Sequence, residues 1–373
     1  MGWVRTLAGV VALTTVLVLG SVAAAAERPA HPQKVPKAPK GYFGVHVRGL
    51  AGGEFARMHQ AKVGIVRTGF NYLTVHPGPL AADNWSVFDD CVAGTADNGM
   101  DLLPVVYGMP YWLPDGVGIM DLPARAAWQD YLKELVDRYG PDGEFWEEHP
   151  EVAYRPIRYW QLWNEPNSFV NWDDPDGREF GRFLVRSANV IHAADPGASV
   201  VSGGIVSKPL NPDVQNGAQF LGDLFGLRSA RSAIDVVAVH PYAKNAKVTK
   251  EAIEEARETL DQAGLKKTPI WVTEIGWGST TPGGSSARAA GSGGPSRAQQ
   301  RWYLTPAKQR ENLRRTFEMT LKQRRKLGID RVIWYQWQDG PDSACKWCET
   351  AGLLDQDGVA KPLLGVFSSL ARV

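Results

Sequence analysis

Two glutamates, Glu165 and Glu274, each follow a short apolar run that is rich in tryptophan. Apolar runs of this length are typical of buried strands, so each carboxyl group is expected at the end of a strand. Cleavage of a glycosidic bond needs two carboxyl groups, one to protonate the leaving oxygen and one to attack or stabilise the anomeric carbon. A place at a helix N-terminus, with Pro166 in the first turn, would explain Glu165 alone. Two glutamates at matching positions, each flanked by tryptophan, favour the catalytic interpretation.

The remaining chain from Tyr42 onward alternates short apolar runs with amphipathic segments, which predicts an α/β fold with a parallel sheet. The predicted strands are Phe43–Val47, Val63–Arg67, Leu102–Tyr107, Ile157–Trp163, Ser199–Gly203, Ile234–Val239, Ile270–Thr273 and Arg331–Tyr335. The predicted helices are Trp85–Asn98, Arg125–Tyr139, Gly177–Ala194, Ala218–Ala230, Lys250–Ala263, Ala307–Leu327 and Leu363–Leu370, with a short one before the second strand. Eight strand–helix units favour a single (β/α)8 TIM barrel, in which both glutamates lie at the common C-terminal mouth. No glycine-rich dinucleotide fingerprint follows the first strand, which counts against an open Rossmann sheet.

The sequences around both glutamates resemble those of clan A glycoside hydrolases, and their motifs are most similar to families 39 and 5. Trp-Asn-Glu-Pro-Asn at 163–167 matches the Asn-Glu-Pro motif of the clan, and Trp-Val-Thr-Glu-Ile-Gly-Trp at 271–277 matches its nucleophile strand. The resemblance implies hydrolysis of β-O-glycosidic bonds in oligo- or polysaccharides, with net retention and by double displacement. Glu165 would be the acid/base and Glu274 the nucleophile. No metal ion and no organic cofactor is implied.

Four more polar residues are candidates for substrate binding. Arg67 closes the apolar second strand, matches the arginine that the clan carries there, and would keep the nucleophile ionised. His240 and Tyr242 follow the sixth strand with a His-x-Tyr spacing similar to that of related families, where tyrosine hydrogen-bonds the nucleophile and histidine lines the sugar site. Asn164 matches an amide that holds the sugar 2-hydroxyl in clan members; a helix N-cap is the alternative.

The resemblance also implies an aromatic floor under the cleaved sugar at the eighth strand. Trp337 is the choice for this floor, with Trp334 as the alternative, because strand alternation puts Tyr335 and Trp337 on one face and Trp334 on the other. Weaker candidates for an extended cleft are Tyr111, Trp112, Trp172 and Trp277, and His46 is a weaker polar candidate.

The N-terminus predicts export. Residues 1–26 have a positive start at Arg5, an apolar run and a string of alanines, which are the parts of a secretory signal peptide. An uncleaved membrane anchor is the alternative. Residues 27–40 are rich in Pro, Lys and Ala and predict a linker, so the catalytic domain would be residues 41–373. The mature protein is expected to be secreted, free of stable membrane association and monomeric.

The cysteines fit an exported protein. Cys345 and Cys348 are close enough in sequence for a short-loop disulfide, whereas a zinc site would need further His or Cys ligands at metal spacing. Cys91 lies in a predicted helix and is expected to be a buried thiol. Residues 278–295 are rich in Gly, Ser, Thr and Ala and predict a long loop at the barrel mouth, either a lid or a surface insertion.

Charge and composition restrict the partners. The formal net charge is +1, so no basic surplus indicates nucleic-acid binding, and the 14 tryptophans favour carbohydrate as the ligand. Two alternatives remain at this point: a non-catalytic carbohydrate-binding barrel of the cell envelope, and a transglycosylase that uses the same residues. Loss of either glutamate would have favoured the first of these, and both are present.

Overall fold

The computed structural model describes residues 1, 34–49, 54–208, 213–279, 302–342 and 345–373. The compact body extends from Val35 to Val373. Ala38 is buried within it. The predicted signal peptide, apart from Met1, lies outside the described residues, as do residues 27–33 of the linker and 280–295 of the predicted loop.

The strands confirm the predicted alternation. They are β1 (Phe43–His46), β2 (Ile65–Asn71), β3 (Asp101–Tyr107), β4 (Tyr159–Leu162), β5 (Ser199–Val201), β6 (Ile205–Val206), β7 (Val237–His240), β8 (Ile270–Ile275), β9 (Gly278–Ser279), β10 (Tyr303–Leu304) and β11 (Ile329–Trp334). The described helices span Glu54–Gln60, Tyr72–Val75, Ser86–Asp97, Leu122–Tyr139, Glu144–Glu148, Gly177–Ala194, Gly217–Gly226, Arg228–Ala233, Ala246–Gln262, Pro306–Leu327 and Pro362–Leu370, with a 3-10 helix at Lys346–Thr350. The predicted helix Ala218–Ala230 is thus two shorter ones.

Nine strands form one parallel sheet in the order β5-β4-β3-β2-β1-β11-β8-β7-β6. Its two edge strands, β5 and β6, are consecutive in the chain and separated only by residues 202–204. Ser202, which follows β5, donates from N to Val236 O ahead of β7 at 3.0 Å. Glu165, which follows β4, donates from N to Gly204 O ahead of β6 at 3.1 Å. These two hydrogen bonds connect each edge of the sheet to the other edge. The sheet therefore curls into a (β/α)8 barrel whose fifth strand is in two parts, and β9 and β10 form a separate small pair.

The outer helices are positioned by side-chain caps at their N-termini. Asp176 accepts from the backbone N–H of Glu179 at 2.7 Å and starts the helix Gly177–Ala194. Asn245 and Thr305 cap the helices Ala246–Gln262 and Pro306–Leu327 in the same way. Among the described helices, none is both long and apolar enough to cross a membrane.

A small apolar cluster fills the barrel axis below the mouth. Its members are Ile65, Leu103, Val201, Val236, Ala238, Trp271 and Ile333. Strand side chains alternate between faces, so residues two positions further along also point to the axis, one layer nearer the mouth. These residues include Arg67, His240 and Tyr335, and the barrel thus presents polar groups directly above its apolar floor.

Candidate active site

Glu274 reaches the mouth because β8 is irregular just before its end. Val272 pairs with Val332 and Ile275 with Trp334, so two residues of β8, Thr273 and Glu274, lie opposite a single residue of β11. An extra residue of this kind is a β-bulge, which re-aims side chains and is common beside active sites. Both Thr273 and Glu274 consequently take part in the polar cluster at the mouth.

Two donors hold the Glu274 carboxylate. Arg67 Nη1 donates to Oε1 at 2.6 Å, and Tyr242 Oη donates to Oε2 at 2.7 Å. Burial by itself raises the pKa of Glu274, but the neighbouring His240 and Arg67 and the Tyr242 hydroxyl outweigh it, and the resulting pKa lies below the ordinary glutamate value. Burial, and then the charge of Glu274, raise the pKa of Tyr242 well above its ordinary value, so the hydroxyl keeps its proton. Glu274 is therefore an ionised carboxylate.

Arg67 is the centre of the cluster. Its side chain is buried, and it also donates from Nε to Gln161 Oε1 at 2.8 Å and from Nη2 to Asn164 Oδ1 at 2.7 Å. His46 Nδ1 lies 3.1 Å from Arg67 Nη1 and must be the acceptor, because a guanidinium only donates. Burial and then Arg67 lower the pKa of His46 to about 3, in keeping with a neutral ring.

Glu165 lies at the end of β4 in an unusual backbone conformation. Trp163 and Glu165 have φ values of 68° and 46°, in the left-handed region that non-glycine residues rarely adopt. These dihedrals turn the chain sharply out of the strand, while the bond from Glu165 N to Gly204 O ties it to the neighbouring edge. The Glu165 side chain is about a fifth exposed, at 22%, and thus reachable from the mouth.

His240 lies between the two glutamates. Its Nδ1 is 2.7 Å from Glu165 Oε1 and 3.6 Å from Glu274 Oε2, and its Nε2 is 3.0 Å from Thr273 Oγ1. A carboxylate oxygen of Glu165, a carboxylate oxygen of Glu274 and a ring nitrogen of His240 all lie within 4.8 Å of one another. Two carboxyl groups thus face one small space from opposite sides of the barrel.

Ligand atoms close enough for a cation occur in two groups among the described residues. One is the pair of glutamates with His240, where Arg67 already supplies the positive charge. The other is Asp342 with Cys345 and Cys348, whose sulfur atoms are joined in a disulfide. Neither group is assigned to a metal ion.

The structure does not place Trp337 in this cluster. Trp337 is 2% exposed and donates from Nε1 to Glu54 Oε2 at 3.0 Å, whereas Trp334 packs outward against Trp277. The aromatic ring that the eighth strand supplies to the cluster is Tyr335, which stacks on His46 with ring centroids 4.9 Å apart. The choice of Trp337 relied on strand alternation, but β11 ends at Trp334, and the alternation extends to Tyr335 and not to Trp337.

The other candidate aromatic residues divide into two groups. Trp172 and Trp277 are buried packing residues, with 6% and 0% of their surface exposed. Tyr111 is 67% exposed and Trp112 half-buried, and their rings lie in edge-to-face contact at 5.2 Å on the loop after β3. Only this second group is available to a ligand at the rim.

A further aromatic pair covers Tyr242. Trp302 and Trp347 stack with centroids 5.5 Å apart, and Trp347 meets the Tyr242 ring at 5.3 Å. Trp347 lies between Cys345 and Cys348, which form the predicted disulfide, while Cys91 is a buried free thiol as predicted. The disulfide loop thus supports the residue that donates to Glu274.

Six of the predicted site residues come together at the mouth: Arg67, Asn164, Glu165, His240, Tyr242 and Glu274. Gln161, Thr273, Asn171 and Tyr335 also lie there and are not among the site residues predicted from the sequence. Gln161 is a lone amide in an apolar strand, which is a usable signal. No signal in the sequence identifies Thr273, because regular alternation would turn Thr273 and Glu274 to opposite faces of the strand.

The comparisons with known proteins agree with this architecture. Residues 188–326 match the family model of a glycosyl hydrolase catalytic core. This match includes the segment with His240, Tyr242 and Glu274 but not Glu165. A comparison of the sequence with curated proteins finds no match.

Solved structures of glycosidases have the same fold. A family 39 glycoside hydrolase from Bacteroides cellulosilyticus WH2 is 19% identical with a TM-score of 0.62, over 91% of this chain and 66% of that one. A glucosidase from Croceicoccus marinus is 15% identical with a TM-score of 0.64, over 89% and 67%. A GH5_18 protein from Bifidobacterium longum subsp. infantis is 17% identical with a TM-score of 0.60, over 88% and 78%. This chain spans about two thirds of the length of the first two. The predicted resemblance to clan A glycoside hydrolases and the (β/α)8 barrel are confirmed.

Proposed function

We propose that the protein is a retaining β-glycosidase in which Glu274 is the nucleophile and Glu165 the acid/base. The observation that carries the proposal is the pair of carboxyl groups with oxygens within 4.8 Å of one another. Retaining enzymes hold their carboxyl groups about 5 Å apart, whereas inverting enzymes leave room for a water molecule between them. The short separation supports retention.

The two carboxyl groups have environments suited to different tasks. Glu274 is buried and ionised beside Arg67 and Tyr242, as an attacking carboxylate must be. Glu165 is more exposed and faces His240, and among the described residues no lysine or arginine is bonded to it. This difference assigns attack to Glu274 and proton transfer to Glu165.

The reaction then proceeds in two steps. Glu274 forms a bond to the anomeric carbon as the glycosidic C–O bond breaks, and Glu165 gives its proton to the leaving oxygen. A water molecule next gives a proton to Glu165 and its oxygen to the anomeric carbon, which releases the sugar and restores the Glu274 carboxylate. The exposed Tyr111 and the half-buried Trp112 at the rim are available to stack against further sugar units, which favours an oligo- or polysaccharide substrate.

The test is a screen of aryl β-glycosides and polysaccharides, with β-glucosides and β-xylosides first. These two sugars are chosen because solved structures with this fold include a glucosidase from Croceicoccus marinus and a β-xylosidase from Caulobacter crescentus. Glu274→Ala should abolish hydrolysis, and the matched control Glu251→Gln, an exposed residue of the helix Ala246–Gln262, should not. Full activity of Glu274→Ala would sink the mechanism. The first sugar released from a β-glycoside should be the β-anomer by NMR, and an α-anomer would show inversion.

We further propose that the protein is exported and that cleavage follows residue 26. The apolar run and the alanines at 23–26 support this proposal. N-terminal sequencing of protein recovered outside the producing cells should begin at Glu27. Protein that retains Met1 and stays with the membrane fraction would support the anchor instead.

A further inference from the structure

His240 is oriented by two residues outside the catalytic pair. Thr273 Oγ1 lies 3.0 Å from Nε2, and both side chains have 0% of their surface exposed. The same end of the ring lies against the backbone, because a Cβ atom added at Gly204 would lie 2.0 Å from Nε2. A hydroxyl group and a glycine thus confine this end of the imidazole.

The surroundings of the ring determine which nitrogen carries a hydrogen. Nδ1 is 2.7 Å from Glu165 Oε1, and its next carboxylate neighbour is Oε2 of the ionised Glu274 at 3.6 Å. A hydrogen on Nδ1 is attracted to both oxygens, whereas a lone pair there would face the Glu274 charge, so we assign Nδ1 as the donor. In a neutral ring Nε2 is then an acceptor, and Thr273 can supply the hydrogen. In a charged ring Nε2 donates, and the same hydroxyl can accept. The threonine therefore maintains one ring orientation in both charge states.

The orientation of His240 has a consequence for the proton of Glu165. In a protonated carboxyl group, the oxygen that accepts a short N–H···O hydrogen bond is the carbonyl oxygen, and the other oxygen carries the proton. Oε1 accepts such a hydrogen bond from His240, so it is not the oxygen that carries the proton. Asn171 Nδ2 lies 3.5 Å from Oε2, which is long for a hydrogen bond and leaves that oxygen available.

We propose that Thr273, acting through His240, is a positioning residue that directs the acidic proton of Glu165 to Oε2, so that Oε2 is the oxygen that protonates the leaving group. This inference rests on the proposed function. In the first step the proton on Oε2 passes to the glycosidic oxygen as the C–O bond breaks. In the second step the attacking water returns a proton to Oε2. Oε1 accepts from His240 throughout.

The kinetic test compares two leaving groups. Thr273→Val keeps the shape and removes the hydroxyl, and Thr273→Ser keeps the hydroxyl. With an alkyl β-glycoside, which needs protonation, Thr273→Val should lower kcat/KM about tenfold or more, because a buried partner is lost. With a 2,4-dinitrophenyl β-glycoside, whose departure needs no proton, the loss should be about twofold or less. Thr273→Ser should restore both values.

Each outcome bears on a defined claim. Equal losses on both substrates, or no rescue by Thr273→Ser, would overturn the positioning role while the glycosidase function stands. A wild-type protein that cleaves neither substrate would overturn the proposed function and this inference with it.

A second measurement does not depend on any variant being active, and it needs only that His240→Asn is folded, which its circular dichroism spectrum checks. In the ¹⁵N NMR spectrum of histidine-labelled wild-type protein, Nδ1 of His240 should be protonated and hydrogen-bonded. His240→Asn identifies the signal by its disappearance. An unprotonated Nδ1 in the neutral ring would overturn the proposal.

Discussion

The hydroxyl of Tyr242 offers the sharpest test of how the nucleophile is kept ionised. Tyr242→Phe removes one donor, 2.7 Å from Glu274 Oε2, and keeps the ring that packs against Trp347 and Trp302. Arg67 remains bonded to the other carboxylate oxygen. The change is therefore confined to one hydrogen bond.

The expected magnitude follows from the type of bond. A hydrogen bond to a buried charged group contributes about 1.5–3 kcal/mol. Its loss destabilises only the ionised form of Glu274, so the pKa of this carboxyl should rise by about one to two units. Catalysis needs the ionised form. As the pH is lowered, Tyr242→Phe should therefore lose activity at a higher pH than the wild type does.

The measurement is kcat/KM for an aryl β-glycoside as a function of pH. The acidic limb of the Tyr242→Phe profile should lie about one to two pH units above that of the wild type. Tyr131→Phe is the matched control, because the Tyr131 hydroxyl is buried without a hydrogen-bond partner in the described part of the chain. An acidic limb of Tyr242→Phe that coincides with the wild-type limb would refute the reasoning.

Three further predictions concern the surroundings of the pair. Tyr335→Ala should lower kcat/KM about tenfold, because the Tyr335 ring lies at the cluster. Trp337→Phe should keep the activity and lower the unfolding free energy, measured by urea titration, by about 1 kcal/mol. The reverse pattern would restore Trp337 as the sugar platform. Replacing Cys345 and Cys348 by serine should lower the unfolding free energy by about 2 kcal/mol, the value for a short closed loop, and an unchanged urea midpoint would contradict it. Because the pKa of Glu274 is lower in the folded than in the unfolded state, the stability of the wild type should fall as the pH drops below about 4.3. The melting temperature of Glu274→Gln should fall less steeply over the same pH range. Parallel plots of melting temperature against pH for the two proteins would argue against this linkage.

The positions of the strand ends could be predicted from the sequence because buried parallel strands are continuous apolar runs. A polar residue that closes such a run, as Arg67 and His240 do, is conspicuous. The barrel then brings these residues together whatever their separation along the chain. For this reason the cluster around Glu274 could be foreseen without any knowledge of loop conformation.

The departures from regular strand geometry could not be predicted. The bulge at Thr273 and Glu274 depends on pairing with β11, which local composition does not reveal. The end of β11 at Trp334 likewise decides that Tyr335, rather than Trp337, contacts the cluster. In the first case one extra residue changes the face of a side chain, and in the second the alternation stops between two residues that it would place on the same face.

The bonds of Arg67 have a consequence for refolding. They join β2 to partners 94, 97 and 207 residues away, so the polar cluster exists only when distant parts of the chain have met. Contacts of such long range form late, after local helices and neighbouring strand pairs. Recovered activity would therefore report closure of the barrel, and in a refolding experiment it should lag behind the return of helical circular dichroism.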